Sequence, residues 1–119
     1  MARNDFGKTE DDYLRALKAV SDSGRMKILQ AHLKTKDYTA TWRQLAKEVG
    51  YKDYFAINLH YGALAELVAS ELGVPQPRTE LGEPFWLYVL VDWAPTPEGE
   101  DQRFVLRPEV VKALGRMGF

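Results

Sequence analysis

The sequence predicts an α+β fold that is mainly α: a helical bundle with a helix-turn-helix, a C-terminal two-stranded antiparallel hairpin and a short last helix. Apolar residues recur with helical spacing up to Leu72, and a continuous aromatic and β-branched run begins at Phe85. Between them, residues 73–84 carry the glycines and prolines that are typical of a connecting segment.

Length and composition favour one folded domain. The chain has 119 residues, of which 45% are hydrophobic, enough for a core. We predict a single domain over residues 1–119, with a flexible tail (1–8), a helical part (9–73), a linker (74–84), and the hairpin with the last helix (85–119). The chain lacks cysteine, which excludes disulfides and thiolate metal sites, and no apolar run approaches the roughly 18 residues of a membrane span. The polar N-terminus has no signal-peptide pattern, so we expect a cytoplasmic protein without a membrane partner.

The segment 41–51 is the most informative part of the sequence. Thr41 and Gln44 have the spacing of a capping box, in which each side chain accepts from the other residue's backbone amide. Gly50 is a typical C-terminal stop, because glycine takes the left-handed conformation without a Cβ penalty. A short helix that ends at a glycine before a longer helix, predicted over 54–72, indicates a helix-turn-helix.

The longer helix should bury one stripe of apolar side chains. The stripe consists of Ile57, Tyr61, Leu64, Val68 and Leu72, widened by Leu67. Gly62 inside this helix predicts either close packing against a neighbour or a kink, since glycine costs about 1 kcal/mol there. The expected core of the domain is Leu45, Ile57, Leu64, Val68, Leu87 and Val89.

The other elements follow from breakers and periodicity. We expect a first helix after Thr9, a second over about 25–35, a connector over 36–40, strands over 85–93 and 103–107, and a last helix that begins at Pro108. The hairpin loop between the strands carries an acidic tip of Glu98, Glu100 and Asp101.

The net charge of −1 hides an asymmetry along the chain. Residues 15–52 hold nine basic side chains against three acidic ones, a net +6, so the remainder carries −7. A basic face beside a helix-turn-helix is what phosphate binding needs. The alternative is that these lysines and arginines only solvate two surface helices.

The combination of motifs resembles a known domain family. The run 40–64 (ATWRQLAKEVGYKDYFAINLHYGAL), the segment 86–91 (WLYVLV) and the segment 107–109 (RPE) resemble a small bacterial winged-helix-type domain. That domain is found upstream of HNH endonuclease modules and also as stand-alone proteins. The resemblance covers about residues 25–119, and its motifs are structural, so it implies a winged-helix-like recognition module without the nuclease.

The first functional hypothesis is a non-catalytic DNA-binding module. The turn and the start of the long helix present Lys52, Tyr54, Asn58 and His60, and asparagine can read adenine through two hydrogen bonds. Arg43 and Lys47 on the preceding helix would contact the phosphate backbone. The acidic hairpin tip would be repelled by phosphates unless it points away.

The second hypothesis is a protein-interaction module, in which the aromatic residues Trp42, Tyr51 and Tyr54 would be exposed anchors. Its partner would be a second copy of the chain or a nuclease complex. In the latter case the chain could act as an inhibitor of the anti-CRISPR or anti-restriction type, encoded by a phage or mobile element.

Catalysis is not expected. The two histidines, His32 and His60, lack neighbours suited to metal ligation or general-base chemistry, and we expect His32 to be at the surface or half-buried. No glycine-rich phosphate loop and no serine-histidine-aspartate set is present in the sequence. We therefore predict neither enzyme activity nor a cofactor nor a metal site.

Overall fold

Four of the five described helices begin at a capping residue or a proline that the sequence displays, namely Thr9, Thr41, Asp53 and Pro108. The computed structural model describes residues 6–119, and within that range the helices are α1 (Glu10–Ala19), α2 (Met26–Leu33), α3 (Trp42–Val49), α4 (Tyr54–Leu72) and α5 (Pro108–Arg116). The strands are β1 (Thr39–Ala40), β2 (Val91–Trp93) and β3 (Phe104–Leu106). The domain is therefore α+β and mainly helical, as predicted.

The capping box of α3 is confirmed. The amide of Gln44 donates to Thr41 Oγ1 at 3.2 Å, and the amide of Thr41 donates to Gln44 Oε1 at 2.8 Å. Gly50 ends the helix in the left-handed region with φ of 82°. The same reciprocal arrangement joins Thr9 and Asp12 at the start of α1, and its hydrogen bonds lower the pKa of the Asp12 carboxyl. These local bonds satisfy amides that have no partner inside the helix.

The sheet has one more strand than expected. β2 and β3 form the predicted antiparallel hairpin, with Val91 opposite Leu106 and Trp93 opposite Phe104. β1 lies in the predicted connector and pairs antiparallel with β3, so the order over the described residues is β1-β3-β2. A strand of two residues is too short to produce an alternating pattern, which is why the sequence did not reveal it. Asp37 and Tyr38 lead into it with left-handed φ values of 54° and 57°.

The expected strand over 85–93 is wrong in its first half. Trp86–Val89 form a 3₁₀ turn, and only Val91–Trp93 are extended. The residues from Leu87 to Val91 are all buried, so the run has no alternation of buried and exposed positions. A short apolar run of this kind is compatible with either helix or strand, and packing against α4 decides between them.

The hydrophobic core contains buried residues from each of the helices α1 to α5 and from the sheet. All six residues predicted for it are at most 1% exposed, so this prediction is confirmed. α1 packs against α4 and α5, and the Tyr13 hydroxyl donates to the Val89 carbonyl oxygen at 2.7 Å. Of the predicted tail, residues 1–5 lie outside the described residues, whereas Phe6 packs under the guanidinium of the buried Arg107 at 4.7 Å.

His32 is fully buried, which corrects the expectation of a surface or half-buried position. Its Nε2 lies 3.0 Å from the Phe104 carbonyl oxygen and its Nδ1 lies 2.7 Å from the Tyr61 hydroxyl. Because a carbonyl oxygen only accepts, Nε2 carries the proton and Nδ1 accepts from Tyr61. Burial lowers the pKa of His32 to about 4, against the opposing effect of its hydrogen bond to Phe104. Burial also raises the pKa of Tyr61 well above 10, so this hydroxyl remains a donor.

The long helix α4 has the predicted length but a different outer face. Its stripe from Ile57 to Leu72 is buried as expected. Leu67 is 42% exposed and does not widen that stripe. The helix is continuous through Gly62, and a Cβ added there would meet no heavy atom within 4 Å. Neither close packing nor a kink therefore explains this glycine.

Candidate functional site

Arg43 is engaged by the acidic hairpin loop. Its Nε lies 2.7 Å from Asp101 Oδ2, and its guanidinium lies 4.8 Å from the centre of the Tyr54 ring. Arg103 and Glu100 form a second pair at 3.6 Å. Both pairs border an open groove of about 860 Å³ between the start of α3 and this loop. Asp101 of the acidic tip therefore contacts α3 and neutralises the charge of Arg43, whereas Glu100 pairs with Arg103 of its own hairpin.

A basic and aromatic cluster surrounds the turn between α3 and α4. The rings of Tyr51 and His60 stack at 5.4 Å, and Lys27 Nζ lies 5.1 Å from the centre of the Tyr51 ring. Arg25 Nε donates to His60 Nδ1 at 3.3 Å. We call Arg25, Lys27, Tyr51 and His60 the turn cluster. In this cluster Lys27 of α2 and Arg25, the N-cap of α2, lie close to His60 of α4, the helix that the sequence predicted to read DNA bases.

The other predicted nucleic-acid contacts are spread around this turn. Lys47, Lys52 and Asn58 are exposed. Tyr54 is half-buried and stacks on Phe55 at 4.7 Å between ring centres. Asn58 points to the side of α4 that borders the segment 84–87, where it lines a groove.

The aromatic residues predicted as exposed protein anchors are instead half-buried. Trp42 packs on Phe104 with 4.1 Å between ring centres and meets the edge of Tyr61. Tyr51 and Tyr54 also pack against the hydrophobic core. Their side chains are largely committed to the fold, which leaves less apolar surface for a partner than the sequence suggested.

The outward face of α4 carries apolar residues that the sequence analysis did not place there. Phe55 is 66% exposed, Leu59 is 71% exposed and Leu67 is 42% exposed. With the partly exposed Ala63 they follow one another at every fourth position, which places them in one row along the helix. We call Phe55, Leu59, Ala63 and Leu67 the α4 ridge. The signal for it was present, because α4 is apolar on two opposite faces and only the stronger stripe was interpreted.

The charged side chains of α4 are acidic. The helix contains no lysine or arginine, whereas Glu66 and Glu71 are exposed on it. Its outward face is therefore apolar with a negative component. The positive side chains lie on the preceding elements and on the turn.

A groove runs beside the α4 ridge. It has a volume of about 330 Å³ and lies between α4 and the segment 84–87. Leu59, Gly62 and Ala63 line one wall, and Phe85 and Trp86 line the other. The open space above Gly62 belongs to this groove, so an apolar side chain of a partner could enter it.

Comparison with known proteins provides no relative for this chain. No protein-family model, curated protein or solved structure matches it. In residues 6–119, no three side chains of histidine, aspartate or glutamate come together as metal ligands, and no helix in that range has the length and apolar character to cross a bilayer.

Proposed function

We propose that the chain is a non-catalytic protein-interaction module on a winged-helix-like scaffold, which binds its partner through the α4 ridge. The observation that carries the proposal is the exposure of Phe55 and Leu59, two large apolar side chains one turn apart on the same face of α4. Contiguous exposed apolar surface on a folded domain is characteristic of binding sites for proteins.

The scaffold part of the proposal is supported by topology. A short strand before α3, the helix pair α3 and α4, and a hairpin whose second strand pairs with that short strand follow one another in the order typical of winged-helix domains. The resemblance described from the sequence implies the same arrangement. The non-catalytic part is supported by the histidines, since His32 is bonded within the core and His60 is stacked on Tyr51.

The chemistry of α4 favours a protein over DNA as the partner. A reading helix needs side chains that hydrogen-bond to base edges and cations that contact phosphates. The outward face of α4 offers Phe55 and Leu59, and its charged residues are Glu66 and Glu71. Inhibition of a nuclease complex would be one form of such a protein interaction.

Site-specific photo-crosslinking in the native cell tests this proposal. We expect a benzophenone amino acid in place of Phe55 to yield a discrete protein adduct, because the ridge would be covered by a partner. Introducing Leu59→Asp into the same variant should abolish the adduct, since a carboxylate would be buried in the contact. The matched control carries the same probe at Lys112, an exposed position on α5, and should give no such adduct. Absence of any adduct at Phe55 would refute the proposal.

DNA binding is a second candidate, favoured by the turn cluster and the exposed Lys47 and Lys52. If it holds, the affinity of the chain for generic duplex should fall steeply with salt, with a logarithmic slope of about 0.9 for each phosphate contact. The double variant Arg43→Glu and Lys47→Glu should weaken binding several-fold, and Asn58→Ala should mainly change base preference.

A mobility-shift series at two salt concentrations provides the measurement for this candidate. Lys112→Glu reverses one charge on α5, half of the change in the double variant, and should leave any DNA binding unaltered. A wild-type chain that binds no duplex at low salt would eliminate the DNA candidate.

A further inference from the structure

We propose that the segment of the partner that lies beside the α4 ridge is basic and amphipathic, with aliphatic side chains together with lysine or arginine. This inference rests on the proposed function, because it names the chemistry of the partner of the same surface. Three features of the chain point to it: two adjoining grooves, carboxylates along both of them, and aromatic rings in the wall of the second.

The groove beside the α4 ridge continues into a second groove. The second one has a volume of about 440 Å³ and lies between the turn 79–83 and the segment 85–93. We call the first the α4 groove and the second the loop groove. Pro84 and Phe85 line both, and Leu81, which is 87% exposed, also lines the loop groove. A single apolar segment of a partner can therefore contact both grooves.

The charged side chains along both grooves are acidic. Glu66 lines the α4 groove, Glu80 and Glu83 line the loop groove, and all three are exposed. No described lysine or arginine lines either groove. In the part of the chain that the structure describes, none of these three carboxylates forms an ion pair. They are therefore available to cations of a partner.

The sequence around the grooves has the same sign of charge. Residues 52–84 hold five acidic side chains against two basic ones, Lys52 and Arg78. Lys52 adjoins the exposed Asp53, and Arg78 donates to the Gly82 carbonyl oxygen at 2.8 Å. A negative surface attracts a positively charged partner and repels both DNA and a second copy of the same surface. Charge complementarity therefore selects a basic segment.

Aromatic rings near Glu80 and Glu83 provide a second means of holding a cation. Phe85 stacks on Trp93 with 5.7 Å between ring centres, and Tyr88 meets both rings edge-on. A guanidinium or ammonium group is attracted to an aromatic face, and a carboxylate beside it adds a charge-assisted hydrogen bond. Over the described range, no lysine or arginine of the chain itself lies over these rings.

The chain uses the same combination of groups on another surface. The guanidinium of Arg43 lies over the Tyr54 ring and pairs with Asp101. In the loop groove the rings and the carboxylates come from this chain, and the cation would come from the partner. We therefore expect an aliphatic side chain of the partner in the α4 groove above Gly62, and lysine or arginine in the loop groove.

Binding of a synthetic probe to the full chain provides the first test, measured by fluorescence anisotropy. The probe is a labelled amphipathic helical peptide of leucine and lysine, and its control has glutamate in place of every lysine. We expect the lysine peptide to bind with an affinity that falls as salt rises, because salt screens the charges. The glutamate peptide has the same apolar side chains and should not bind. Equal binding of the two peptides would overturn the inference.

Neutral substitutions in the chain locate the contact. Glu80→Gln with Glu83→Gln removes both carboxylates of the loop groove and should weaken binding of the lysine peptide several-fold. The matched control, Glu48→Gln with Glu98→Gln, removes two exposed carboxylates on α3 and in the hairpin loop and should leave the affinity unchanged. Leu59→Ser changes no charge and should also weaken binding several-fold. Circular dichroism checks that each variant is folded, and an equal affinity for all of them would contradict the assigned surface.

Failure of the basic partner is distinguishable from failure of the proposed function. Mass spectrometry identifies the segment linked to the photo-crosslinking probe at Phe55, which should carry lysine or arginine among apolar residues. A linked segment that is acidic or uncharged, in another protein or in a second copy, would overturn this inference and leave the interaction module standing. A chain that gives no adduct at all would overturn both.

Discussion

Leu64→Ala is expected to lower the free energy of unfolding by about 2–5 kcal/mol, because it removes buried methyl groups and leaves a cavity that the surroundings fill only in part. Leu64 is fully buried at the centre of α4, which packs against α1, α3 and the 3₁₀ turn. Denaturant unfolding followed by circular dichroism measures the change.

Leu59→Ala is the matched control for this substitution. It makes the same change in the same helix at a side chain that is 71% exposed. Its effect should remain within about 0.5 kcal/mol. Equal losses for the two variants would show that the assignment of the inner and outer faces of α4 is wrong.

Acid is expected to destabilise the fold through His32. Burial holds the pKa of this imidazole at about 4 in the folded protein, compared with 6.5 for an unperturbed histidine. Between these two values the unfolded chain binds a proton that the folded protein does not, so stability falls as the pH falls. Above pH 6.5 the imidazole is neutral in both states and does not lower the free energy of unfolding. By pH 4 the free energy of unfolding should have fallen by about 3 kcal/mol.

The measurement is the unfolding free energy at several pH values for the wild type and two variants. His32→Gln should flatten the pH dependence between 6.5 and 4, although its stability at neutral pH will be lower because it disrupts the bonds to Tyr61 and Phe104. His60→Gln leaves His32 in place, so its free energy of unfolding should fall between pH 6.5 and 4 as it does in the wild type. An unchanged slope in His32→Gln would contradict the assignment.

The parts of the fold that the sequence predicted are those governed by local interactions. The ends of α3 follow from Thr41, Gln44 and Gly50, which act within a few residues of one another. The start of α5 at Pro108 and the full length of α4 follow in the same way. Capping residues and apolar periodicity are properties of the sequence itself, so they can be recognised without a structure.

The parts that were missed depend on contacts between distant segments. β1 exists because β3, which is far along the chain, pairs with it. His32 is buried because its two ring nitrogens find Tyr61 and the Phe104 carbonyl oxygen, and neither partner is its neighbour in sequence. A polar residue can enter a core when such partners are available, and a sequence alone does not reveal them.

The surface proposed from the structure differs from the site residues predicted from the sequence, although both include the start of α4. The sequence directed attention to the turn and the start of α4, where Phe55 indeed lies beside Tyr54. Aromatic type alone does not determine exposure, and Trp42 is half-buried because it stacks on Phe104. Leu59 was overlooked because a leucine in a helix is most often interpreted as core, whereas here the opposite face of the helix is the buried one.

The distribution of tryptophan gives this molecule built-in optical probes. Trp42 on α3 contacts Phe104 on β3, so its emission reports whether the hairpin is docked on the helices. Trp93 contacts Phe104 within the hairpin, so its emission reports whether the hairpin itself is formed. Trp86 lines the groove beside Gly62, where an arriving apolar side chain would displace water from its indole. Retaining Trp86 while the other two are replaced by phenylalanine would thus allow occupation of the groove to be followed by fluorescence without any attached label.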